Sequence, residues 1–244
     1  VPDTSNMTTH FAIGTVEIDN TPLGDITSIT AYKRFTLFEY TDQDGTAKTN
    51  NATRRRTEGW QFSQELRTGF ELNDMISGVA GVFYMKTSYD HYQMYHLDFA
   101  VPGLIQYNVQ DQGTESLSAF VQTYAQLSDA LRLSAGIRYT NDKVDARSTL
   151  ATGFGSQKLT SADWARFDVT FPGSLDVGGK KSWNNVGWKL GVDYTLGQNQ
   201  LMYASWARGF KSGGFTGRIG VAADGDSPYG PEKVDTFEFG VKAD

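Results

Sequence analysis

The feature that most constrains this chain is a period of two. Between 186 and 196, Val186, Trp188, Leu190, Val192, Tyr194 and Leu196 share one face of an extended strand, while Gly187, Lys189, Gly191, Asp193 and Thr195 share the other. Residues 60–70 split the same way, with Trp60, Phe62, Leu66 and Phe70 against Gln61, Ser63, Glu65 and Arg67, and the pattern returns at 131–140 and 235–243. It is blurred at 26–37, 75–89 and 201–210, and no segment sustains a helical period. The chain therefore reads as all-β, with strands near 10–19, 24–39, 57–71, 75–89, 115–127, 130–143, 182–196, 200–211 and 231–243.

The links between these strands alternate in length. DNTPL, LNDM, SDA and GQN are tight, whereas 40–56, 90–114, 144–181 and 212–230 are long. A soluble sandwich has no reason to gather its long loops at one end. A transmembrane barrel does, with short periplasmic turns and long extracellular loops. In hydrocarbon every backbone donor and acceptor must be paired internally, so a strand survives only in a closed sheet, apolar outward and polar toward a wet lumen. The expected fold is an antiparallel up-and-down transmembrane β-barrel. Nine strands is an odd count, and single-chain bacterial barrels close with an even one, so residues 1–244 are expected to be part of a larger barrel. A sheet left open has two unpaired edges prone to aggregation.

Composition fits this reading. Aromatic residues make up 13% of the 244 residues, too rich in core formers for intrinsic disorder. There is no Cys, which removes disulfides, thiol catalysis and cysteine zinc sites. No apolar run approaches the roughly 18 residues of a spanning helix, and VPDTSNMTTHFAIG lacks the basic and apolar regions of a secretory signal. A net charge of −6 argues against a nucleic-acid partner. The basic run Arg54-Arg55-Arg56 reads as a solvated loop, with contact to an acidic ligand or anionic lipid as the sharper alternative. Trp60, Tyr89, Trp183, Tyr194 and Tyr203, near strand ends, are expected to form interfacial girdles.

Several segments carry a family resemblance. ITSITAYKRF (26–35), FSQELR (62–67), VAGVFYMK (79–86), AGIRYTNDK (135–143), LMYASWARGFKSGGF (201–215) and YGPEKVDTFEFGVKAD (229–244) resemble, in that order, the barrel of TonB-dependent outer-membrane receptors. The last two are the most specific: an arginine-glycine-aromatic strand end, then a Pro-Glu opening the next strand. The resemblance implies a 22-stranded barrel in the outer membrane of a Gram-negative bacterium, plugged by an N-terminal domain. Such receptors import iron-siderophores, cobalamin or glycans with energy from TonB. The partners implied are outer-membrane lipid, TonB acting through the plug, and a small ligand such as a metal chelate or glycan. Neither a plug, nor a TonB box, nor the C-terminal strand of such a barrel is evident in 1–244. The haem-uptake subgroup carries a His within a motif that here reads RGFKSGGFTGR (208–218), which disfavours haem.

Local motifs give no reaction chemistry. DHYQMYHLD (90–98) offers Asp90, His91, His96 and Asp98, but this spacing puts the two His on opposite faces of a strand and does not match a helical metal site, so no metal or cofactor is expected. As part of a long loop, Tyr89, His91, Tyr92, Tyr95 and His96 form an aromatic, hydrogen-bonding surface suited to a chelate or sugar; these are the candidate ligand-binding residues. DQDG (42–45) lacks the later ligands of a calcium loop and reads as a turn on Asp44-Gly45. GSLDVGGKKS (173–182) is out of register for a phosphate loop and reads as a flexible loop. No nucleophile motif is present, so no enzyme is expected. Glu65, Arg67, Arg132, Arg138, Lys189 and Asp193 are expected to hydrate the lumen. The competing readings are a passive porin-like barrel and a soluble carbohydrate-binding β-sandwich.

Overall fold

The computed structural model describes residues 3–46, 50–154, 174–197, 200–217, 219 and 227–243. Its strands are β1 (Thr4–Thr21), β2 (Gly24–Asp42), β3 (Asn51–Asn73), β4 (Ile76–Leu97), β5 (Leu104–Gln126), β6 (Leu131–Phe154), β7 (Leu175–Leu196), β8 (Gln200–Lys211) and β9 (Glu232–Ala243). They hydrogen-bond in chain order, each antiparallel to the next, as one nine-stranded sheet whose edges β1 and β9 do not meet. All nine expected strands are present. No helix among the described residues is long and apolar enough to cross a membrane, which says nothing about crossing by strands.

The two faces differ as the alternation requires. Leu66, Val82, Ala119, Tyr139 and Val186 stand directly opposite one another across five strands. This face carries the exposed Leu66, Val82, Ile137, Val186, Leu190 and Phe237. The other face holds Thr53, Gln93, Asn108, Ser118, Thr140 and Asn185, all buried although polar. On a curved sheet, side chains on the inside converge and cover one another, so the polar face is concave and the apolar face convex. In a membrane the first borders the lumen and the second the lipid. Glu65, Arg67, Arg132, Arg138, Lys189 and Asp193 fall on the concave face, as expected. Arg132 pairs across strands with Asp193 at 2.7 Å, and Arg67 pairs with Glu65 at 3.1 Å. The Arg138 guanidinium lies over the rings of Phe83 and Phe120.

The strands are longer at their loop ends than the alternation suggests. The pattern stops β6 near 143, yet the ladder runs to Phe154, and β3 begins at Asn51 where 57 is expected. A spanning strand needs only about 9–11 residues. Above the hydrocarbon both faces meet water, so nothing forces alternation while backbone pairing continues at no cost. The loop expected over 40–56 shrinks to 43–50, and that over 90–114 to 98–103. Two loop assignments are thereby corrected: Arg54-Arg55-Arg56 lies within β3, and most of 173–182 within β7. Residues 155–173 of the third long link lie outside those described.

The girdle expectation is also partly corrected. Trp60 and Tyr194 face outward, but Tyr89, Trp183 and Tyr203 face the lumen, because strand parity and not sequence proximity to a turn decides the side. Trp183 is 7% exposed and packs edge-on against Phe215, at 6.3 Å between ring centroids, in a cluster with Val144 and Ala146. The outward aromatics form their own group, with Trp188 perpendicular to Trp206 at 4.5 Å and Phe237 stacked on Trp206 at 5.2 Å. At the β2–β3 connection, the Asp44 carboxylate accepts hydrogen bonds from the Thr46 hydroxyl and from the backbone N–H of Thr46, Asn50 and Asn51. The Thr46 hydroxyl contributes most to holding this carboxyl down at about 2. The DQDG segment is thus a wide turn tied by one carboxylate, with Gly45 at a φ of 63°.

Candidate lumenal ligand site

Two cross-strand rows build a cleft on the concave face, toward the long-loop end. Leu37, Thr57, His91 and Gln110 stand opposite one another across β2–β5, and so do Glu39, Arg55, Gln93 and Asn108 two residues further along. Tyr95 stands in the next row, opposite Thr53, and Gly217 approaches from the β8–β9 connection; the space they line is about 540 Å³. Directly opposed residues share a face of an antiparallel pair, so this convergence follows from register alone.

The lining is rich in hydrogen-bonding groups and nearly balanced in charge. Arg55 is 3.9 Å from Glu39, a loose pair with both side chains partly exposed. With the Gln93 amide oriented to satisfy its neighbours, its oxygen accepts from Arg55 Nε at 2.7 Å and from a terminal guanidinium nitrogen at 3.2 Å, and the amide also meets the Tyr95 hydroxyl at 2.8 Å. Charge-assisted bonds of this kind fix the guanidinium plane. His91 Nδ1 shares a hydrogen bond of 2.7 Å with the Thr57 hydroxyl. Burial, reinforced by the Arg55 charge, pushes the His91 imidazole below its ordinary value, so it is neutral at pH 7. Asn108 is only 6% exposed, and among the described residues no donor reaches its Oδ1. An orphaned buried carbonyl is costly, on the order of 1–3 kcal/mol.

The expected ligand-binding residues divide by parity. Tyr89, His91 and Tyr95 face the lumen, and His91 and Tyr95 line the cleft. Tyr92 and His96 turn to the convex side. The opposite orientation of the two His matches the expectation from their spacing, and among the described residues no group of three His, Cys, Asp or Glu could hold a metal. These five residues do not lie in a loop, since β4 continues to Leu97. Sequence reasoning missed Gln93, Asn108 and Gln110, and offered Arg55 only within the 54–56 run, as the alternative to a solvated loop. Their odd or even placement was readable, but only the pairing register shows which residues of four strands meet. On the convex face Asp90 stands opposite Asp111, and burial followed by the Asp90 charge pushes the Asp111 carboxyl up.

The cleft lies in a wall of long antiparallel strands with one polar and one apolar face, and a family model described as TonB dependent receptor-like, beta-barrel, matches residues 4–244. The chain belongs to the TonB-dependent receptor β-barrel family. Solved structures agree in fold. The ferric yersiniabactin uptake receptor FyuA from Yersinia pestis is 17% identical with a TM-score of 0.75, over 98% of this chain and 33% of that one. The closed form of the ferric-catecholate import receptor Fiu from E. coli K12 is 19% identical with a TM-score of 0.69, over 99% and 39%. The siderophore receptor PiuA from Acinetobacter baumannii is 16% identical with a TM-score of 0.65, over 99% and 38%. This TonB-dependent receptor barrel therefore spans between 33% and 39% of those receptors' length. No curated protein sequence matches the chain. The family consists of transport receptors of the Gram-negative outer membrane.

Proposed function

We propose that this receptor barrel lies in the outer membrane and imports a scarce nutrient carried as a small metal chelate of the iron-siderophore type. The observation that carries this reading is the lumenal cleft, where Arg55, His91, Gln93, Tyr95 and Asn108 converge at the loop end of a family barrel. That FyuA is a ferric yersiniabactin uptake receptor, Fiu a ferric-catecholate import receptor and PiuA a siderophore receptor supports the choice of ligand class. Among the described residues Arg55 is the one cation lining the cleft; it supplies a planar fork for ligand oxygen atoms, while the amides and the neutral imidazole supply donors and acceptors around it. Transport would draw energy from TonB through a domain seated in the lumen, and the convex belt would meet lipid.

The test uses the full receptor chain in detergent micelles and the ferric complexes of a hydroxamate, a catecholate and an α-hydroxycarboxylate chelator. One of these binds with a Kd in the micromolar range or tighter, and Arg55→Ala weakens it by about tenfold or more. A receptor that binds none of them yet lets small sugars swell proteoliposomes is a passive pore, and the reading fails.

A further inference from the structure

One stretch of the lumen wall carries a continuous run of large apolar side chains, shared between β1 and β2. On β1, Met7, Phe11 and Ile13 share one face of the strand. Their partners on β2 settle which face they share: Met7 stands opposite Leu37, Phe11 opposite Lys33 and Ile13 opposite Ala31, and Thr9 opposite Phe35. Leu37 lines the cleft, so all of these lie on the concave side. Lys33 holds its ammonium 5.9 Å from the Phe35 ring centroid, which leaves its aliphatic stem to continue the apolar surface. A strip of Met7, Leu37, Phe35, Phe11 and Ile13 thus leaves the cleft and runs down the wall for roughly 20 Å, the length of six extended residues. At the same level, the lumen face of β3, β6 and β7 carries Glu65, Arg67, Arg138 and Lys189, and on β4 and β5 the Phe83 and Phe120 rings lie under the Arg138 guanidinium. Another strand bonded to the open edge of β1 would flank the side chains of the strip without capping them.

We propose that the ligand of this receptor is amphipathic: a polar head bearing O–H or N–H donors sits in the cleft, and an apolar tail lies along the β1–β2 strip. The inference rests on the chelate-receptor reading and adds the tail. Its two halves are independent observations joined by register. Among the described residues Asn108 Oδ1 is a buried acceptor without a donor, which calls for a head that donates. Met7 and Leu37 place the start of the strip beside that head, within reach of a single small molecule. An apolar tail here would remove exposed methyl and phenyl surface from water, a gain that a head alone cannot make.

The experiment measures binding of ferric hydroxamate, catecholate and α-hydroxycarboxylate complexes to the full receptor in micelles, each chelator prepared with an acetyl and with a dodecanoyl substituent, whose extended chain is long enough to reach Phe11, about 13 Å along the strand from Met7. For a head that binds, the dodecanoyl form is expected to bind about tenfold tighter. Phe11→Ser with Ile13→Ser should abolish that advantage and leave the acetyl form unchanged; partition into the micelle is common to both proteins and cancels. Heat-modifiable gel migration checks barrel assembly, and Phe11→Leu gives the same ordering with a smaller loss should the double variant not assemble. Equal binding of both forms, or a tail advantage that survives the substitutions, overturns the proposal and leaves the receptor reading intact. So does loss of a lumenal domain's protease protection in the double variant without change in the tail advantage, which makes the strip a seat for protein. If no ferric chelate binds at all, the receptor reading itself fails and the amphipathic ligand falls with it.

Discussion

Placing an arginine at Leu190 tests the assignment of faces on which every other conclusion depends. Leu190 is 50% exposed on the convex side and stands opposite Ala135 and Trp206. It lies six residues from Leu196 at the short turn, and its partner Ala135 lies four from Leu131. With a rise of about 3.3 Å per residue and a strand tilt near 40°, that is about 10–15 Å above the turn, close to the middle of an apolar band about 25 Å tall. An arginine on the lipid face at that depth costs about 2–4 kcal/mol. The control is Ser205→Arg, at the same level on the concave side, where Ser205 faces Gly191 and Glu238. There the new charge meets water and a carboxylate, and the cost is expected within about 0.5 kcal/mol of zero. Urea unfolding of the full receptor in lipid vesicles, followed by tryptophan fluorescence, reads both variants. Equal effects at the two positions, or a larger cost at Ser205, would mean that lipid and lumen have been exchanged, and the cleft and strip would then face hydrocarbon.

Three further outcomes follow from single sites. His91 is held below its ordinary value of 6.5, so the unfolded chain takes up a proton first as the medium acidifies; stability falls as pH drops below that value, and His91→Gln should flatten this part of the pH profile of unfolding. Asp111 is pushed up from 3.8, so its folded form keeps a proton that the unfolded chain loses, and stability declines as pH rises through that interval. Asp111→Asn should raise the unfolding midpoint at pH 7 and leave it unchanged at pH 3; a lower midpoint at pH 7 would contradict the account. Gly24 has a φ of 94°, and an added Cβ would lie 1.7 Å from the carbonyl oxygen of Gly69. Gly24→Val should therefore cost at least about 1–3 kcal/mol and lower the yield of heat-modifiable barrel, whereas Gly14→Ala, with open space around it, should not.

Where the alternation is clean, as in β7, the sequence carried the face of each residue with little ambiguity. Lipid on one side and water on the other impose a period of two, so Trp188, Leu190 and Val192 announce their face without any knowledge of their neighbours. Family membership was legible in part for a related reason, since segments such as FSQELR and AGIRYTNDK lie where that alternation is clean. Beyond the hydrocarbon the constraint lapses. Tyr89, His91, Tyr92, Tyr95 and His96 then looked like one aromatic loop, although β4 continues and sends three of them inward and two outward. Trp183 and Tyr203 looked like girdle residues for the same reason.

What the sequence could determine by itself was the face of each residue within its own strand, because that is a local property of the extended backbone. What only the tertiary structure decided was which strands' residues stand side by side. Register brings Glu39, Arg55, Gln93 and Asn108 into one row and sets Met7 beside Leu37, although these residues lie far apart along the chain. Pairing register is fixed by the whole ladder of backbone hydrogen bonds and by the tight turns that begin it. A slip of a single residue would send every side chain of a strand to the other face, so the cleft and its apolar strip exist only in the assembled sheet.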